Sequence, residues 1–407
     1  MPEPKLIAAP NYANAVYQRV DGQMVTLVVG QDKNIYEVPL RKPGSTNPTP
    51  VSYVNLNRAA GCRDEWIVAL SSNGDGFSYP GSVSPYITSE GRNTIVYTSP
   101  SGLIELSSTS SSNWSCSLIQ DQSFPALRFV TSPPFARNLT DQSNVIVFVA
   151  DNQHVWEARR EKNAAAWYFT DLNAVASGDN FSTVGSATAF VRSSGEFVVL
   201  AVGTDKHVYG IQNQNGSWIS TDLTNAAKCV DIYPKAPDAQ DFAAPIAVDG
   251  VDYIHYRCNN GRICEIFNGD GNWCWGDLTS SSETTETAAV APLVPGCVVK
   301  NWNFGSGDGY TLFYTSSDTV TRPTYVSAVY LLNGAWHAMD RCLSVGLFST
   351  VDGEVNGCFP SGARSSFGEV INHVSCNGNQ SGSGLTLTYD LWATTASWGL
   401  TTLTYEN

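Results

Sequence analysis

The chain has 407 residues, of which 42% are hydrophobic and 15% are charged, and its formal net charge at pH 7 is −14. This length and hydrophobic content allow one large buried core. The acidic balance argues against a nucleic acid or an anionic membrane surface as a partner, and no apolar run is long enough to span a membrane.

The amino-terminal part predicts the start of a repeat. Residues 3–9 predict a strand that completes the last unit of the chain, because the unit around Trp398 ends too soon to hold four strands. Residues 11–19 and 25–40 are predicted to begin unit one, and the second of these segments, VTLVVGQDKNIYEVPL, matches the strand, turn and strand that open the repeat pattern. Residues 55–86 interrupt the pattern, and we interpret them as an insertion between units one and two.

The same pattern recurs along the rest of the chain. Clear copies span 145–176, 198–227 and 252–282, and weaker copies begin at Thr94 and Tyr310. Within 198–227, VVLAVG, HVYGIQ and SWIST predict strands, whereas TDK and NQNG predict the turns between them. Six units share a tryptophan in the last strand, at intervals of 51 to 63 residues, and Tyr53 has the matching place in the first unit: Trp114, Trp167, Trp218, Trp273, Trp336 and Trp398.

A period of about 40–50 residues with four strands is typical of a β-propeller blade. The sequence therefore predicts an all-β fold, a β-propeller of four-stranded antiparallel blades with seven repeat units, closed by the N- and C-terminal strands. A six-bladed ring with an irregular seventh unit is the alternative. Because the repeat has no break, residues 1–407 are predicted to form a single β-propeller domain.

Cysteines and glycosylation motifs favour secretion. Ten cysteines indicate an oxidising compartment, and Cys258 and Cys264 flank a predicted hairpin, which suits a cross-strand disulfide. The first ten residues lack an apolar signal core, so either a signal has been removed or the protein is cytosolic. Five motifs for N-glycosylation agree with the secretory pathway and begin at Asn113, Asn138, Asn180, Asn215 and Asn379.

Polar residues that recur in the repeat are expected to be structural. His154 and His207 occupy the same repeat position, which favours a structural role for both. No CxxC pair accompanies a histidine cluster, so neither a metal nor another cofactor is expected. Four aspartates follow the repeat tryptophan by four residues, and we expect them to cap the turn that leaves the outermost strand: Asp171, Asp222, Asp277 and Asp340.

Three enlarged links are expected on one face of the propeller: 55–86, 315–325 and 341–364. The link between consecutive blades and the link between second and third strands both emerge there, and such loops often build a site. Their arginines and aromatic residues suit a flat, electron-rich ligand. We predict Arg63, Arg322 and Arg364 as catalytic residues, and the substrate-binding residues are predicted to be Trp66, Tyr79, Tyr325 and Arg341.

The repeat resembles the fungal fucose-binding lectins, whose blades combine an Ile- or Val-x-Glu strand with a Gly-Trp strand. In that family an arginine on the second strand, a glutamate about a dozen residues later and an aromatic residue hold each sugar between blades. The matching glutamates are Glu37, Glu105, Glu157 and Glu265, and the fourth blade has Gly210 in this position.

The family's arginine is absent from the matching positions of this chain, which hold Val25, Asn93, Val145 and Tyr253. Without a guanidinium in this place, fucose is expected to bind weakly or not at all. The glutamates are then either remnants of a sugar site or cross-strand residues at the surface.

The scaffold also resembles the fungal hetero-Diels–Alderases of tropolone-sesquiterpenoid biosynthesis, which join tropolone-derived quinone methides to terpene alkenes. The resemblance implies a secreted-type, cofactor-independent enzyme of natural-product assembly with one asymmetric pocket, and we rank this function first. A carbohydrate-binding lectin with a degenerate sugar site is the alternative, so the partner is an aromatic or terpenoid small molecule or a glycan. The sequence leaves open whether the protein forms a homo-oligomer.

A glycoside hydrolase ranks third. Hydrolysis of a glycosidic bond needs two carboxyl groups at a fixed separation. Candidate pairs are found among Asp64, Glu65, Asp352 and Glu354, but the sequence does not fix their distances.

Overall fold

The structure is a computed structural model. It describes main chain and side chains at 15–30, 32–39, 53–66, 83–110, 113–119, 135–179, 181, 187–227, 245–247, 250–256, 258 and 263–278. For the remaining strand residues given below it describes the backbone. Almost all regular structure in these residues is β-strand.

The first two sheets are four-stranded and antiparallel. Sheet 1 has the order β1 (Ala15–Gln18), β2 (Met24–Val29), β3 (Ile35–Pro39) and β4 (Val54–Asn55), and the short helix α1 (Leu56–Ala59) follows it. A small hairpin of β5 (Ser71–Ser72) and β6 (Ser78–Tyr79) comes next. Sheet 2 contains β7 (Val83–Ile87), β8 (Asn93–Ser99), β9 (Gly102–Ser108) and β10 (Trp114–Leu118).

The third and fourth sheets are each followed by one helical turn. Sheet 3 contains β11 (Phe135–Asn138), β12 (Asn144–Val149), β13 (Val155–Arg160) and β14 (Tyr168–Asp171), then α2 (Leu172–Val175). The two-residue β15 (Ser177–Gly178) joins sheet 4 by pairing parallel to its last strand. The other strands of sheet 4 are β16 (Thr183–Val191), β17 (Phe197–Gly203), β18 (Val208–Gln214) and β19 (Ser217–Asp222), and α3 (Leu223–Ala226) follows.

The remaining described strands form three sheets. In sheet 5, β20 (Ala239–Phe242) and β21 (Ile246–Val248) both pair with β22 (Val251–Cys258), and β23 (Ile263–Asn268) and β24 (Trp273–Asp277) complete the order. Sheet 6 contains β25 (Val290–Lys300), β26 (Tyr310–Asp318), β27 (Thr324–Leu332) and β28 (Ala335–Met339). Sheet 7 contains β29 (Ser361–Arg364), β30 (Val370–Asn379), β31 (Thr386–Thr394) and β32 (Trp398–Thr404).

The first strands of neighbouring sheets contact one another in a ring, from β1 through β7, β11, β16, β20 and β25 to β29, and β29 contacts β1. This arrangement is the β-propeller fold that the repeat predicts. Sheet 7 has four strands of its own, so the premise that the last unit lacks a strand is wrong. Its first strand, β29, lies inside the segment that we interpreted as an insertion. Residues 3–9 lie outside the described residues.

The second strands are buried on both faces because each sheet lies between two others. All six residues of β2 and of β12 are buried, as expected for strands that read as continuous apolar runs. The turn from second to third strand is shared by sheets 1, 3 and 4, where Lys33, Gln153 and Lys206 have φ of 65°, 61° and 71°. A left-handed residue at this place reverses the chain within a short hairpin.

Apolar clusters fill the space between consecutive sheets. One cluster joins Leu27 and Tyr17 of sheet 1 to Tyr97 and Trp114 of sheet 2. Equivalent clusters lie between sheets 2 and 3, between sheets 3 and 4, and between sheets 4 and 5. Boundaries between sheets are therefore the places where buried side chains of two repeat units meet.

Two disulfides are present in the described residues. Cys258 and Cys264 are bonded to each other, which confirms the predicted cross-strand bridge. The other bond joins Cys62, which follows α1, to Cys116 in β10 of sheet 2. Among the described residues, no helix has the length and apolar character that crossing a membrane requires.

The predicted capping role is confirmed for two aspartates. The Asp171 carboxylate accepts a hydrogen bond from the Ala174 amide at the start of α2, and that of Asp222 accepts from the Asn225 amide at the start of α3. These carboxylates satisfy backbone N–H groups that have no partner within the helix. Asp340 lies outside the described residues.

Candidate functional site

The repeat glutamates lie at the boundaries between sheets. Within sheets 1, 2 and 3, Glu37 is opposite Leu27, Glu105 is opposite Val96 and Glu157 is opposite Val147. Directly opposed residues share one face of a sheet, and these apolar partners pack toward the following sheet. The glutamates therefore point toward the next repeat unit.

These glutamates are buried rather than exposed. Their exposed fractions are 2%, 5%, 2% and 5% for Glu37, Glu105, Glu157 and Glu265. The interpretation that they are surface residues is wrong. A buried carboxylate requires a compensating partner, and the partner differs at each boundary.

At the boundary of sheets 2 and 3, the partner of Glu105 is an arginine from the following sheet. The Arg160 guanidinium donates two hydrogen bonds to the two carboxylate oxygens, at 2.9 and 2.7 Å. The same guanidinium carbon lies 4.4 Å from the ring centre of Trp167. The lectin resemblance implies an arginine about a dozen residues before each glutamate, whereas this arginine lies 55 residues after Glu105 and could not be predicted from that pattern.

A similar group lies at the boundary of sheets 4 and 5, where the repeat glutamate is replaced by Gly210. Arg192 of sheet 4 donates to Asp252 of sheet 5 at 2.7 Å. Its guanidinium carbon is 5.6 Å from the ring centre of Trp273, the repeat tryptophan of sheet 5. At both boundaries an arginine thus bridges two sheets, pairs with a carboxylate and lies over the tryptophan of the later sheet.

Glu37 at the boundary of sheets 1 and 2 has partners from its own sheet. Arg19 donates to one carboxylate oxygen at 2.8 Å and the Tyr17 hydroxyl donates to the other at 3.1 Å. Burial raises the pKa of Glu37, although both donors act in the opposite direction. Burial and the adjacent Glu37 charge also raise the pKa of Tyr17.

Glu157 at the boundary of sheets 3 and 4 is only partly compensated. Its Oε2 atom is buried without a hydrogen-bond partner, and its Oε1 atom is 3.6 Å from the Arg159 guanidinium. Burial raises the pKa of Glu157 to about 7, because Arg159 offsets the desolvation only in part. The place that Arg160 has in sheet 3 is taken by Asn213 in sheet 4, so this position of the following sheet offers Glu157 no guanidinium.

The two arginine groups lie on the face opposite to the predicted pocket. Arg160 and Trp167 flank the turn between the third and fourth strands, and Arg192 lies in the turn between a first and a second strand. In a four-stranded meander these turns emerge together, whereas links between blades emerge on the other face. The face with the two arginine groups is therefore not the one on which we expected the enlarged loops to build a site.

The structure brings together two of the predicted site residues. Arg63 lies over Trp66, with its guanidinium carbon 5.0 Å from the ring centre, and forms an ion pair with Glu65 at 3.8 Å. Arg63 is 69% exposed. Trp66 packs against the cluster between sheets 1 and 2, and its carbonyl oxygen accepts a 2.5 Å hydrogen bond from the Tyr97 hydroxyl. This segment is thus an anchored part of the insertion.

The other predicted site residues are placed by the backbone or not at all. Tyr79 lies in β6, Tyr325 in β27 and Arg364 in β29, so the last two belong to strands rather than to the predicted loops. The link between β26 and β27 shortens accordingly to 319–323. Arg322 and Arg341 lie outside the described residues, as do Asp352 and Glu354 of the hydrolase alternative.

No protein-family model and no curated protein match the chain. Among solved structures, the BP39L lectin from Burkholderia pseudomallei is 12% identical, with a TM-score of 0.60 over 97% of this chain and 99% of that chain. At this identity the likeness shows the fold alone, and the fold is that of a lectin-like β-propeller.

Two further matches have TM-scores below 0.5, and we infer nothing from them. The Aleuria aurantia lectin in complex with Fucα1-6GlcNAc is 12% identical over 80% of this chain and 95% of that chain, with a TM-score of 0.46. A GH43 β-1,3-galactosidase is 11% identical over 67% of this chain and 98% of that chain, with a TM-score of 0.40.

Proposed function

We propose that this protein is a carbohydrate-binding lectin whose sugar sites lie at the boundaries between blades. The observation that carries the proposal is that an arginine, a carboxylate and a tryptophan meet at two boundaries of the propeller, with the arginine from the later sheet at one boundary and from the earlier sheet at the other. Lectins gain avidity by repeating a weak site. An enzyme for one small molecule requires a single pocket instead.

The chemistry of the two groups suits a polyhydroxylated ligand. A guanidinium has five N–H groups, and the two bonds to Glu105 leave Arg160 with further N–H groups that can donate to sugar hydroxyls. Its side chain is 19% exposed and that of Arg192 is 21% exposed, so both reach solvent. Trp167 is itself buried, and its role is to fix the orientation of the arginine rather than to stack on a sugar ring.

The arrangement differs from the one that the fucose-lectin resemblance implies. There the arginine precedes the glutamate on the second strand of the same blade, whereas here the partner of Glu105 comes from the third strand of the next blade. We therefore propose a glycan ligand other than terminal fucose. The cycloaddition between a tropolone quinone methide and a terpene alkene, with Arg63, Arg322 and Arg364 as catalytic residues, stays a prediction that no observation on these residues supports.

A glycan array followed by calorimetric titration tests the proposal. Binding of a glycan with more than one site per chain is expected, and Arg160→Lys and Arg192→Lys should each reduce the number of sites by one, because lysine lacks the two-pronged guanidinium. Arg159→Lys is the matched control, since Arg159 is adjacent on β13 and its side chain points to the opposite face. The proposal would be overturned if no glycan on the array bound the protein. It would also be overturned if both arginine variants kept the same number of binding sites as the wild type.

A further inference from the structure

A cluster of one histidine and two aspartates lies at the hairpin between β17 and β18, away from the arginine groups at the boundaries between sheets. The Nδ1 atom of His207 is 2.7 Å from Oδ2 of Asp222 and 3.6 Å from Oδ2 of Asp205. The nearest ligand atoms of these three side chains all lie within 4.8 Å of one another. Imidazole nitrogen and carboxylate oxygen are ligands that zinc accepts.

We propose that Asp205, His207 and Asp222 form a binding site for a divalent transition-metal ion of the zinc type. This site is separate from the proposed sugar sites and does not depend on them. Three protein ligands leave the fourth position of a tetrahedral zinc ion for water.

The copy of this hairpin in sheet 3 shows that the hairpin forms with the histidine and the capping aspartate alone. In sheet 3, Nδ1 of His154 is likewise 2.7 Å from Oδ2 of Asp171. The residue that corresponds to Asp205 is Asn152, and it accepts the same hydrogen bond from the amide two residues later, at 3.1 Å in both sheets. The hairpin therefore forms without the second carboxylate, and that carboxylate is the feature that sheet 4 adds.

The two separations from the histidine nitrogen are near those of a tetrahedral zinc site, while the two carboxylate oxygens lie within 4.8 Å of each other and adjust on binding. Zinc bonds of about 2.0–2.2 Å to nitrogen and oxygen place neighbouring ligand atoms about 3.3–3.5 Å apart in a tetrahedron. The two separations from Nδ1, 2.7 and 3.6 Å, lie on either side of this value. The Nδ1 atom must carry no proton to bind the ion, so a neutral His207 shifts its proton to Nε2 and a charged one releases a proton to solvent.

Neighbouring groups orient both carboxylates. The Tyr209 hydroxyl donates to Oδ2 of Asp205 at 2.7 Å, and the Asn225 amide side chain donates to Oδ2 of Asp222 at 2.6 Å. Partial burial alone would raise the pKa of Asp205, but the hydrogen bonds from Tyr209 and the His207 amide outweigh it, and the pKa is lowered. Hydrogen-bonded ligands of this kind hold a metal more tightly.

The site is open to ions from solution. The side chains of Asp205, His207 and Asp222 are 47%, 14% and 10% exposed, so an ion approaches from the side of Asp205. Binding of the ion would replace the hydrogen bond between His207 and Asp222.

The experiment is a calorimetric titration of the chelator-treated full chain with zinc chloride at neutral pH. Two substitutions copy residues that the protein already uses elsewhere in the repeat. Asp205→Asn reproduces the hairpin of sheet 3, and His207→Asn reproduces that of sheet 1, where Asn34 has the place of the histidine. Each should bind one zinc ion fewer per chain than the wild type, with an unchanged circular dichroism spectrum.

The reverse substitution, Asn152→Asp, completes the group of sheet 3 and should bind one ion more. The melting temperature should rise with zinc in the wild type, and more steeply in Asn152→Asp, because the ion binds the folded state. The same number of zinc ions in wild type and Asp205→Asn would overturn the site. A folded wild type that takes up no zinc would also overturn it.

Discussion

Glu105 of sheet 2 and Arg160 of sheet 3 are joined by two N–H···O bonds across a blade boundary, at 2.9 and 2.7 Å. The carboxylate is nearly inaccessible and the guanidinium is mostly covered. A pair of this kind is costly to break because the remaining charge stays buried.

Arg160→Met should therefore lower the free energy of unfolding by about 3–5 kcal/mol. The double variant Glu105→Gln, Arg160→Met should recover part of this loss, since it leaves no unpaired charge. Urea unfolding at neutral pH measures both. Arg63→Met is the control, and its effect should stay within about 0.5 kcal/mol, because Arg63 is exposed and its ion pair is a surface pair.

Glu157 should make the protein less stable as pH rises. Its pKa is raised from 4.5 to about 7 in the folded state, so between these values the folded chain retains a proton that the unfolded chain loses. The free energy of unfolding then falls as pH increases through this window and levels off above about pH 7, and the total decrease is on the order of 3 kcal/mol.

Glu157→Gln removes this dependence. The variant should be more stable than the wild type at pH 8. The difference should disappear near pH 4, where Glu157 is protonated in both the folded and the unfolded chain. Thermal unfolding across this pH range measures the difference. Glu105→Gln should have the opposite effect at pH 8, because it leaves Arg160 without its carboxylate. A Glu157→Gln variant less stable than wild type at pH 8 would contradict the prediction.

The two disulfides should differ in their contribution to stability. The Cys62–Cys116 bond spans 54 residues and the Cys258–Cys264 bond spans 6. The entropy of loop closure predicts about 4 kcal/mol for the longer loop and about 2 kcal/mol for the shorter one. Serine replacement of each pair, followed by urea unfolding, gives the comparison, and a larger loss for the shorter loop would show that chain entropy does not set the order.

Fucose should bind weakly or not at all. The positions that hold the family's arginine contain Val25, Asn93, Val145 and Tyr253, and the nearby guanidinium of Arg160 is oriented by a carboxylate from another blade. Titration with methyl-α-L-fucoside at millimolar concentration should give no saturable heat. Tight binding at several sites would show that the family's mode of recognition persists with other donors.

Local features of the fold were predictable from sequence, and contacts between repeat units were not. The strands of 198–227, the caps at Asp171 and Asp222 and the Cys258–Cys264 bridge all depend on residues close together in the chain. By contrast, Glu105 meets Arg160 and Cys62 meets Cys116 only because two sheets pack side by side. The repeat gives the order of the sheets, but it does not show which side chains reach across a boundary.

The two errors in the fold and the site have different origins. The four-residue strand β29 has no pattern that separates it from the surrounding loop, so sheet 7 was predicted to lack a strand. The lectin resemblance implies a partner for each glutamate within its own repeat unit, although the glutamate side chain points to the next unit. Asp205 and His207 are neighbours in sequence, yet Asp222 joins them only through the pairing of β18 with β19.

The short strand β15 has a consequence for association between chains. It pairs with the outermost strand of sheet 4 and so occupies backbone groups that another polypeptide would otherwise find unpaired. Gly178 has φ of 106°, and a Cβ atom there would lie 2.4 Å from the Ser220 carbonyl oxygen. A side chain at this position would push the segment away and expose this part of the edge, so Gly178 keeps two residues of β19 covered against strand addition.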